Sequence, residues 1–261
     1  MKRVLPLLLS LLFLLSGCAS PAFDDGVIPT VVVTGNTQAL SSPPPANGEP
    51  TTEPTTEPTL DPLPEYDETL FLLVNIQHPL DKEIEGELIT PHLTAGNVVC
   101  DDRRHADARA SRALNEMLLA AEAEGEFHFI IASAFRWFWE QELLWNSFVS
   151  EHPGYALDPS SDPVSALPRD CSEHSTGLAF DILCDEVPHG NPAFVSTREG
   201  RWLIANAHRF GFILRYPADK QTVTGVCYEP WHFRYVGKEA AEYIYSHGLC
   251  LEEFLDLYDW G

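Results

Sequence analysis

Two short segments of the 261-residue chain carry residue types that can grip a metal ion and move a proton. The first is Ser172-Glu173-His174-Ser175-Thr176-Gly177-Leu178-Ala179-Phe180-Asp181. His174 and Asp181 are seven positions apart, and an odd separation puts them on opposite faces of a straight strand. They share one ion only if the chain turns between them, and Thr176-Gly177 supplies a turn. Asp181 then lies in a strand with Leu178, Phe180 and Ile182. An unpaired carboxylate in such apolar company is costly, and a cation is one partner that relieves the cost.

The second segment is Tyr228-Glu229-Pro230-Trp231-His232-Phe233-Arg234-Tyr235. Pro230 keeps Glu229 out of the helical region, so the chain is extended or turned as it enters a strand. His174, His232 and Asp181 together make a donor set suited to zinc, with a fourth position left for water. Zinc lowers the pKa of such a water to about 7. Glu229, three residues before His232, is then placed to take the water's proton and pass it to a leaving amine. Each residue also has a plainer role open to it: a core or solvent histidine, a strand-end cap for Asp181, a surface charge for Glu229. The other eight histidines, at 78, 92, 105, 128, 152, 189, 208 and 247, lack comparable surroundings.

The elements that must position these groups are legible in the hydrophobic pattern. Residues 70–76, 127–132, 178–183, 212–215 and 231–236 read as strands. Residues 103–124 read as a helix, because Ala106, Ala110, Leu114, Met117, Leu118 and Ala121 recur at spacings of three and four. Asp101 or Asp102 can cap its start and Gly125 its end. Further helices are predicted over 138–149, from the Thr197 cap to Gly211, over 238–247 and over 251–258. Strands and helices mix without regular βαβ alternation, which predicts a single α+β domain with a central antiparallel sheet flanked by helices.

Composition narrows the functional classes. There are 16 Lys+Arg against 39 Asp+Glu, a formal charge of −23 that repels phosphate backbones and argues against nucleic-acid binding. Residues 1–17 read as an export signal: Lys2 and Arg3, an apolar run over 4–15, then Ser16-Gly17. The ending Leu15-Ser16-Gly17-Cys18 resembles a bacterial lipoprotein signal, so Cys18 is the expected lipidation site. That places the chain on the outer face of the cell membrane. Residues 18–67 then read as the lipidated Cys and a disordered tether, because Pro, Thr and Glu dominate it and Thr51-Thr52-Glu53-Pro54 repeats as Thr55-Thr56-Glu57-Pro58. Residues 68–261 form the domain. Its cysteines, Cys100, Cys171, Cys184, Cys227 and Cys250, include no Cys-x-x-Cys pair, which disfavours a four-cysteine zinc site. Outside the cell up to two disulfides are allowed, with the pairing open.

Taken together, the two segments resemble the Ser-x-His-x-x-Gly-x-Ala-x-Asp and Glu-x-Trp-His motifs of the zinc D,D-carboxypeptidases and dipeptidases that trim bacterial cell-wall peptides, most nearly the VanY-type D-alanyl-D-alanine carboxypeptidase branch. Ser133-Ala134-Phe135-Arg136 with Gln141 resembles that branch's Ser-Gly-Tyr-Arg-Ser…Gln stretch. Leu73-Val74-Asn75, the run from Gly211 to Pro217, and Arg234-Tyr235-Val236-Gly237 agree as well. Ala134 and Phe135 replace Gly and Tyr, and Trp137 stands where Ser is common, which bears on substrate specificity rather than on metal chemistry.

The resemblance implies roles residue by residue. His174, Asp181 and His232 bind Zn2+. Glu229 is general base and then general acid. Arg136 stabilises the developing oxyanion or holds a substrate oxygen, which suits its forked, permanent charge. Ser133 and Gln141 hydrogen-bond the substrate's terminal carboxylate. Ser172 lines the pocket with Arg215 and Arg234, for which packing or pairing is equally open. The substrate is a peptidoglycan stem peptide, the enzyme is a monomer, and hydrolysis needs no covalent intermediate, in keeping with the lack of a Ser-x-x-Lys pair. Alternatives are an L,D-carboxypeptidase or wall endopeptidase of the same zinc class, a non-catalytic zinc-binding module, and a lipid-anchored solute-binding protein.

Overall fold

The computed structural model describes residues 62–83, 87–96 and 98–258. The predicted export signal, Cys18 and most of the predicted tether lie outside them. In chain order the elements are β1 (Leu88–Ile89), β2 (Val98–Cys100), β3 (Ala106–Asp107), α1 (Ala108–Glu124), β4 (Phe129–Ser133) and α2 (Phe138–Glu151). They continue with β5 (Ala179–Cys184), α3 (Arg198–Asn206), β6 (Phe212–Leu214), α4 (Gln221–Thr224), β7 (His232–Tyr235), α5 (Lys238–His247) and α6 (Leu251–Leu255). None of the described helices is long and apolar enough to cross a membrane.

Five strands form one sheet in the order β2-β4-β5-β7-β6, and β1 pairs with β3 beside it. The pairs β4–β5, β5–β7 and β7–β6 are antiparallel, as the sequence predicts. The pair β2–β4 is parallel, so the predicted antiparallel sheet carries one parallel pair at its edge. Its cause is α1, which lies between the two strands in sequence and serves as the long crossover that a parallel pair requires. The result is a mixed α+β domain. Phe129, Ile131, Phe180, Ile182, Phe212 and Phe233 join the buried stripe of α1 (Ala110, Leu114, Met117, Ala121) in a single apolar core.

The register places the chemistry. Ser133 faces Asp181, and Asp181 faces His232, so three strands contribute to one rung of the sheet. Ile131 pairs with Ile182 whereas Ser133 pairs with Asp181, two steps on β4 against one on β5. This irregularity turns Ser133 onto the Asp181 face, the kind of re-aiming that bulges provide beside functional sites.

Other predictions are corrected. The stretch 70–76 is not a strand. Asp67 Oδ1 accepts the N–H groups of Thr69 and Leu70, and Asn75 Oδ1 accepts those of Gln77 and His78, so side chains close turns at both ends. Between them the Leu70 and Leu72 carbonyls accept from Arg234 Nη2 instead of joining a ladder. Helix α1 starts five residues later than expected, because its cap is Asp107, whose Oδ1 accepts from the N–H groups of Arg109 and Ala110. Asp101 instead binds the N–H and guanidinium of Arg103. Residues 64–66, assigned to the tether, pack on the domain: Tyr66 meets Phe71 and Tyr258 edge-on, and Tyr258 Oη donates to Pro64 O. Cys100, Cys171, Cys184 and Cys250 are free thiols, so none of these four is paired with another.

The turn that lets His174 and Asp181 converge is a 3-10 turn over Glu173–Thr176, closed by Gly177 at φ 75°. Thr176 Oγ1 donates to Glu173 O and accepts the Leu178 N–H, and Gly177 O accepts the Asp107 N–H. A Cβ at Gly177 would meet Leu88 Cδ2 at 2.8 Å and Asp107 N at 3.0 Å. Gly177→Ala is therefore expected to cost about 1–3 kcal/mol, from left-handed strain and crowding. Gly154→Ala, whose Cβ meets nothing within 4 Å, serves as the control. Urea unfolding of the two variants checks this, and equal midpoints would contradict it.

Candidate metal centre

The turn and the rung bring His174, Asp181 and His232 together, with one ligand atom from each lying within 4.8 Å of the others and all three residues buried. His174 Nε2 is 3.3 Å from Asp181 Oδ2, and His232 Nδ1 is 3.1 Å from Asp181 Oδ1. The other ring nitrogens are committed elsewhere. His174 Nδ1 lies 2.7 Å from Ala134 O, and His232 Nε2 lies 3.0 Å from Glu173 Oε1. Each imidazole thus donates outward from one nitrogen and turns the other inward, the arrangement of metal-binding histidines. Asp181 Oδ1 is buried and makes no hydrogen bond. A buried carboxylate oxygen left that way is costly, and a divalent cation between the three side chains satisfies it. Two imidazoles and one carboxylate are a donor set for zinc.

Glu229 and Arg136 flank this centre. Glu229 Oε2 is 3.6 Å from His232 Nδ1. Two backbone bonds fix it, Glu229 N–H to Tyr216 O and His232 N–H to Glu229 O, so the Pro230 turn hands the acid to the entrance of β7. Arg136 Nη2 is 3.7 Å from Asp181 Oδ2. The backbone of Arg136 is tied to the 3-10 turn, its N–H donating to His174 O and its carbonyl accepting from Ser175 Oγ. Arg136, Gln141, Ser172, His174, Asp181, Glu229 and His232 line one cleft, which Leu144, Tyr216 and Trp231 give apolar walls.

Ser133 and Gln141, expected to meet substrate, are occupied with Arg136. Arg136 Nη1 donates to Gln141 Oε1 at 2.6 Å and Nη2 to Ser133 Oγ at 2.9 Å. Gln141 Nε2 in turn donates to Leu167 O at 2.7 Å. Both residues therefore aim the guanidinium. Ser172 lines the cleft, whereas Arg215 and Arg234 lie behind the sheet residues, fully buried and paired with Glu173.

Burial and neighbouring charge set the protonation of the metal-free centre. Burial raises Glu229 to about 8, although His232 and Arg136 oppose it. Burial alone would lower His232, but the Asp181 and Glu173 carboxylates on either side of its ring carry it up to about 9. His174 is lowered by burial, only partly offset by Asp181. Burial works to raise Asp181, and His174 beside it nevertheless holds it well below the usual carboxylate range.

Glu173, which sits between the motif residues Ser172 and His174 and lies against His232 from behind, is not singled out by the motif. Nor is Tyr216, whose ring lies 4.8 Å from that of His232. An acid beside a ligand histidine, in a run with no other charge before Asp181, was an available signal for the first.

Comparison with known proteins gives a consistent result. The VanY family, described as D-alanyl-D-alanine carboxypeptidase, matches residues 103–238. A D-alanyl-D-alanine carboxypeptidase of Enterococcus faecalis is 40% identical over 195 residues, which cover 72% of this chain and 66% of that protein. The chain thus spans slightly less than two thirds of that relative's length. A VanY D,D-pentapeptidase from a VanB-type resistance cassette, solved with Zn(II), is similar with 38% identity and a TM-score of 0.59 over 72% of this chain and 99% of that one. The LD-carboxypeptidase LdcB is similar with 35% identity and a TM-score of 0.62 over 72% and 86%.

Zinc displaces the proton that His232 carries up to about pH 9, so uptake by metal-free protein near neutral pH releases at least one proton. The sign follows: as pH falls below about 9 the proton competes better, and apparent affinity drops. Calorimetry in buffers of different ionisation enthalpy measures the release. Heats independent of buffer would contradict it.

Proposed function

Because the chain belongs to the VanY family of D-alanyl-D-alanine carboxypeptidases, we propose that it is a zinc-dependent D,D-carboxypeptidase removing the terminal D-alanine from peptidoglycan stem peptides. The observation that carries this reading is the cleft itself. A two-histidine, one-carboxylate cluster with an unbonded buried oxygen stands beside an acid at 3.6 Å and a guanidinium at 3.7 Å. Such a set can hydrolyse a peptide bond without a covalent intermediate.

His174 Nε2, His232 Nδ1 and Asp181 would hold the zinc. When bound, it lowers the pKa of water and polarises the scissile carbonyl. Glu229 takes a proton from the attacking water and delivers it to the departing amine of D-alanine. Its depth in the cleft suits a group that must hold a proton between the two events, since burial raises its pKa to about 8 before any cation is bound. Arg136, fixed by Ser133 and Gln141, meets negative charge on the substrate: the oxyanion as it develops or the terminal carboxylate. Leu144, Tyr216 and Trp231 exclude water around the peptide.

The same proposal extends to placement. Lys2 and Arg3 before an apolar run ending at Cys18 support export and lipidation, and the Pro/Thr/Glu-rich residues that follow support a tether. The enzyme then works as a membrane-anchored monomer on the outer face, within reach of nascent wall. A second reading, L,D-carboxypeptidase action on stems that have already lost the terminal D-alanine, is favoured by the likeness to LdcB.

Mass spectrometry of products from synthetic pentapeptide and tetrapeptide stems separates the readings. Loss of one alanine from the pentapeptide is expected, abolished by chelator and restored by zinc, whereas cleavage of the tetrapeptide alone would favour the second. Glu229→Ala is expected to lower kcat by roughly 10²–10⁴-fold while zinc stays bound. Arg136→Ala is expected to lower kcat/KM by roughly 10²–10³-fold. Turnover by Glu229→Ala at the unaltered rate would refute the base assignment.

A further inference from the structure

Behind His232 lies a cluster of charge that the hydrolytic scheme does not use. Glu173, Arg215 and Arg234 are each 0% exposed. Glu173 Oε1 is 3.0 Å from His232 Nε2, and Oε2 accepts from both Arg215 Nε and Arg234 Nη1, each at 2.9 Å. Arg215 spends its remaining nitrogens on Glu252 of α6, with Nη1 to Oε2 at 2.8 Å and Nη2 to Oε1 at 2.7 Å. Arg234 Nη2 is anchored to Leu70 O and Leu72 O at 3.0 and 2.9 Å, and its Nε donates to Tyr235 O. Two carboxylates and two guanidinium groups balance, and every nitrogen of both guanidinium groups has a partner.

The cluster leaves Glu173 a single orientation. One oxygen is clamped by two cations, so the other is fixed on His232. We propose that Glu173 is a positioning residue for the metal centre, with Arg215, Arg234 and Glu252 as the frame that holds it. By accepting from Nε2, Glu173 keeps the proton of the His232 ring on that nitrogen, so that Nδ1 presents its lone pair beside Asp181. A ring turned over about Cβ–Cγ would present carbon there, and a ring protonated on Nδ1 would have no lone pair to give. The frame draws on parts of the chain that carry no donor atom: the turn-rich segment at the start of the domain, through its carbonyls, and α6, through Glu252. This inference rests on the reading of the site as a zinc centre.

A cluster retained only for folding would change stability and leave metal affinity alone, so the test measures both. Zinc affinity is read by competition with a chelating dye, and folding by circular dichroism of the metal-free protein. Glu173→Gln keeps the size of the side chain and removes the charge that the arginines clamp. It is expected to bind zinc about 10–100-fold more weakly. Removing one member of a buried ion pair can prevent folding, so Glu252→Gln is the second variant. Its side chain reaches the surface, and it loosens Arg215 without touching His232. It is expected to weaken zinc binding in the same direction by a smaller factor. Glu253→Gln is the control: on the same helix it loses the Lys220 pair and the cap on Cys250 N–H, and it is expected to leave zinc affinity unchanged. Wild-type affinity in folded Glu252→Gln would overturn the proposal, as would equal loss in Glu252→Gln and Glu253→Gln. Failure of the unaltered protein to bind zinc at all would instead sink the reading of the site, and this inference with it.

Discussion

A carboxylate buried in an apolar sheet is the constraint on which this structure turns. Asp181 lies in β5, a strand whose six residues are all buried. Its neighbours along the strand, Phe180 and Ile182, build the core. Asp181 is tolerable there because its nearest side chains supply positive charge or can share a cation with it: His174 at 3.3 Å, His232 at 3.1 Å, Arg136 at 3.7 Å. One of its oxygens is still without a hydrogen bond. The protein accepts a local conflict with its core packing, and such conflicts are characteristic of functional positions. The antiparallel register, the β4 irregularity and the Gly177 turn all serve to deliver partners to this one side chain.

Charge behind the sheet is arranged on a different logic. Replaced as a whole by well-packed apolar side chains, the cluster of Glu173, Arg215, Arg234 and Glu252 would give up little stability, since buried ion pairs gain little over well-packed hydrophobic ones. What apolar side chains cannot do is hold a carboxylate in one orientation against an imidazole. Orientation also explains Ser133 and Gln141, whose hydrogen bonds go to Arg136 rather than into open cleft. The centre is thus surrounded by side chains whose work is aiming: Ala134 O for His174, Glu173 for His232, Ser133 and Gln141 for Arg136.

Much of this was legible in the chain. Hydrophobic periodicity locates β4, β5, β7 and helices α1, α2, α3, α5 and α6 to within about five residues, because each buries one face or both against a common core, whereas the short α4 has no such signal. The pairing of His174 with Asp181 across a turn followed from strand parity and from Gly177. What escaped was set by competition between side chains and backbone. Residues 70–76 look like a strand by composition, but Asp67 and Asn75 close turns around them and Arg234 takes their carbonyls. Asp101 looks like a helix cap, but its bonds go to Arg103, and Asp107 does the capping. Glu173 is marked locally only as an acid beside His174, and what clamps it comes from residues 42 and 61 positions away, Arg215 and Arg234. No local pattern announces a contact at that separation.

The central claim is that His174, Asp181 and His232 hold one metal ion, and diffraction can test it directly. Crystals of protein grown without added chelator should show one strong anomalous peak just above the zinc absorption edge and lose it just below. The peak should lie about 2.0–2.2 Å from His174 Nε2, His232 Nδ1 and an Asp181 oxygen. A crystal of active protein with no anomalous density at that point, or with the zinc bound to other residues, would contradict the account.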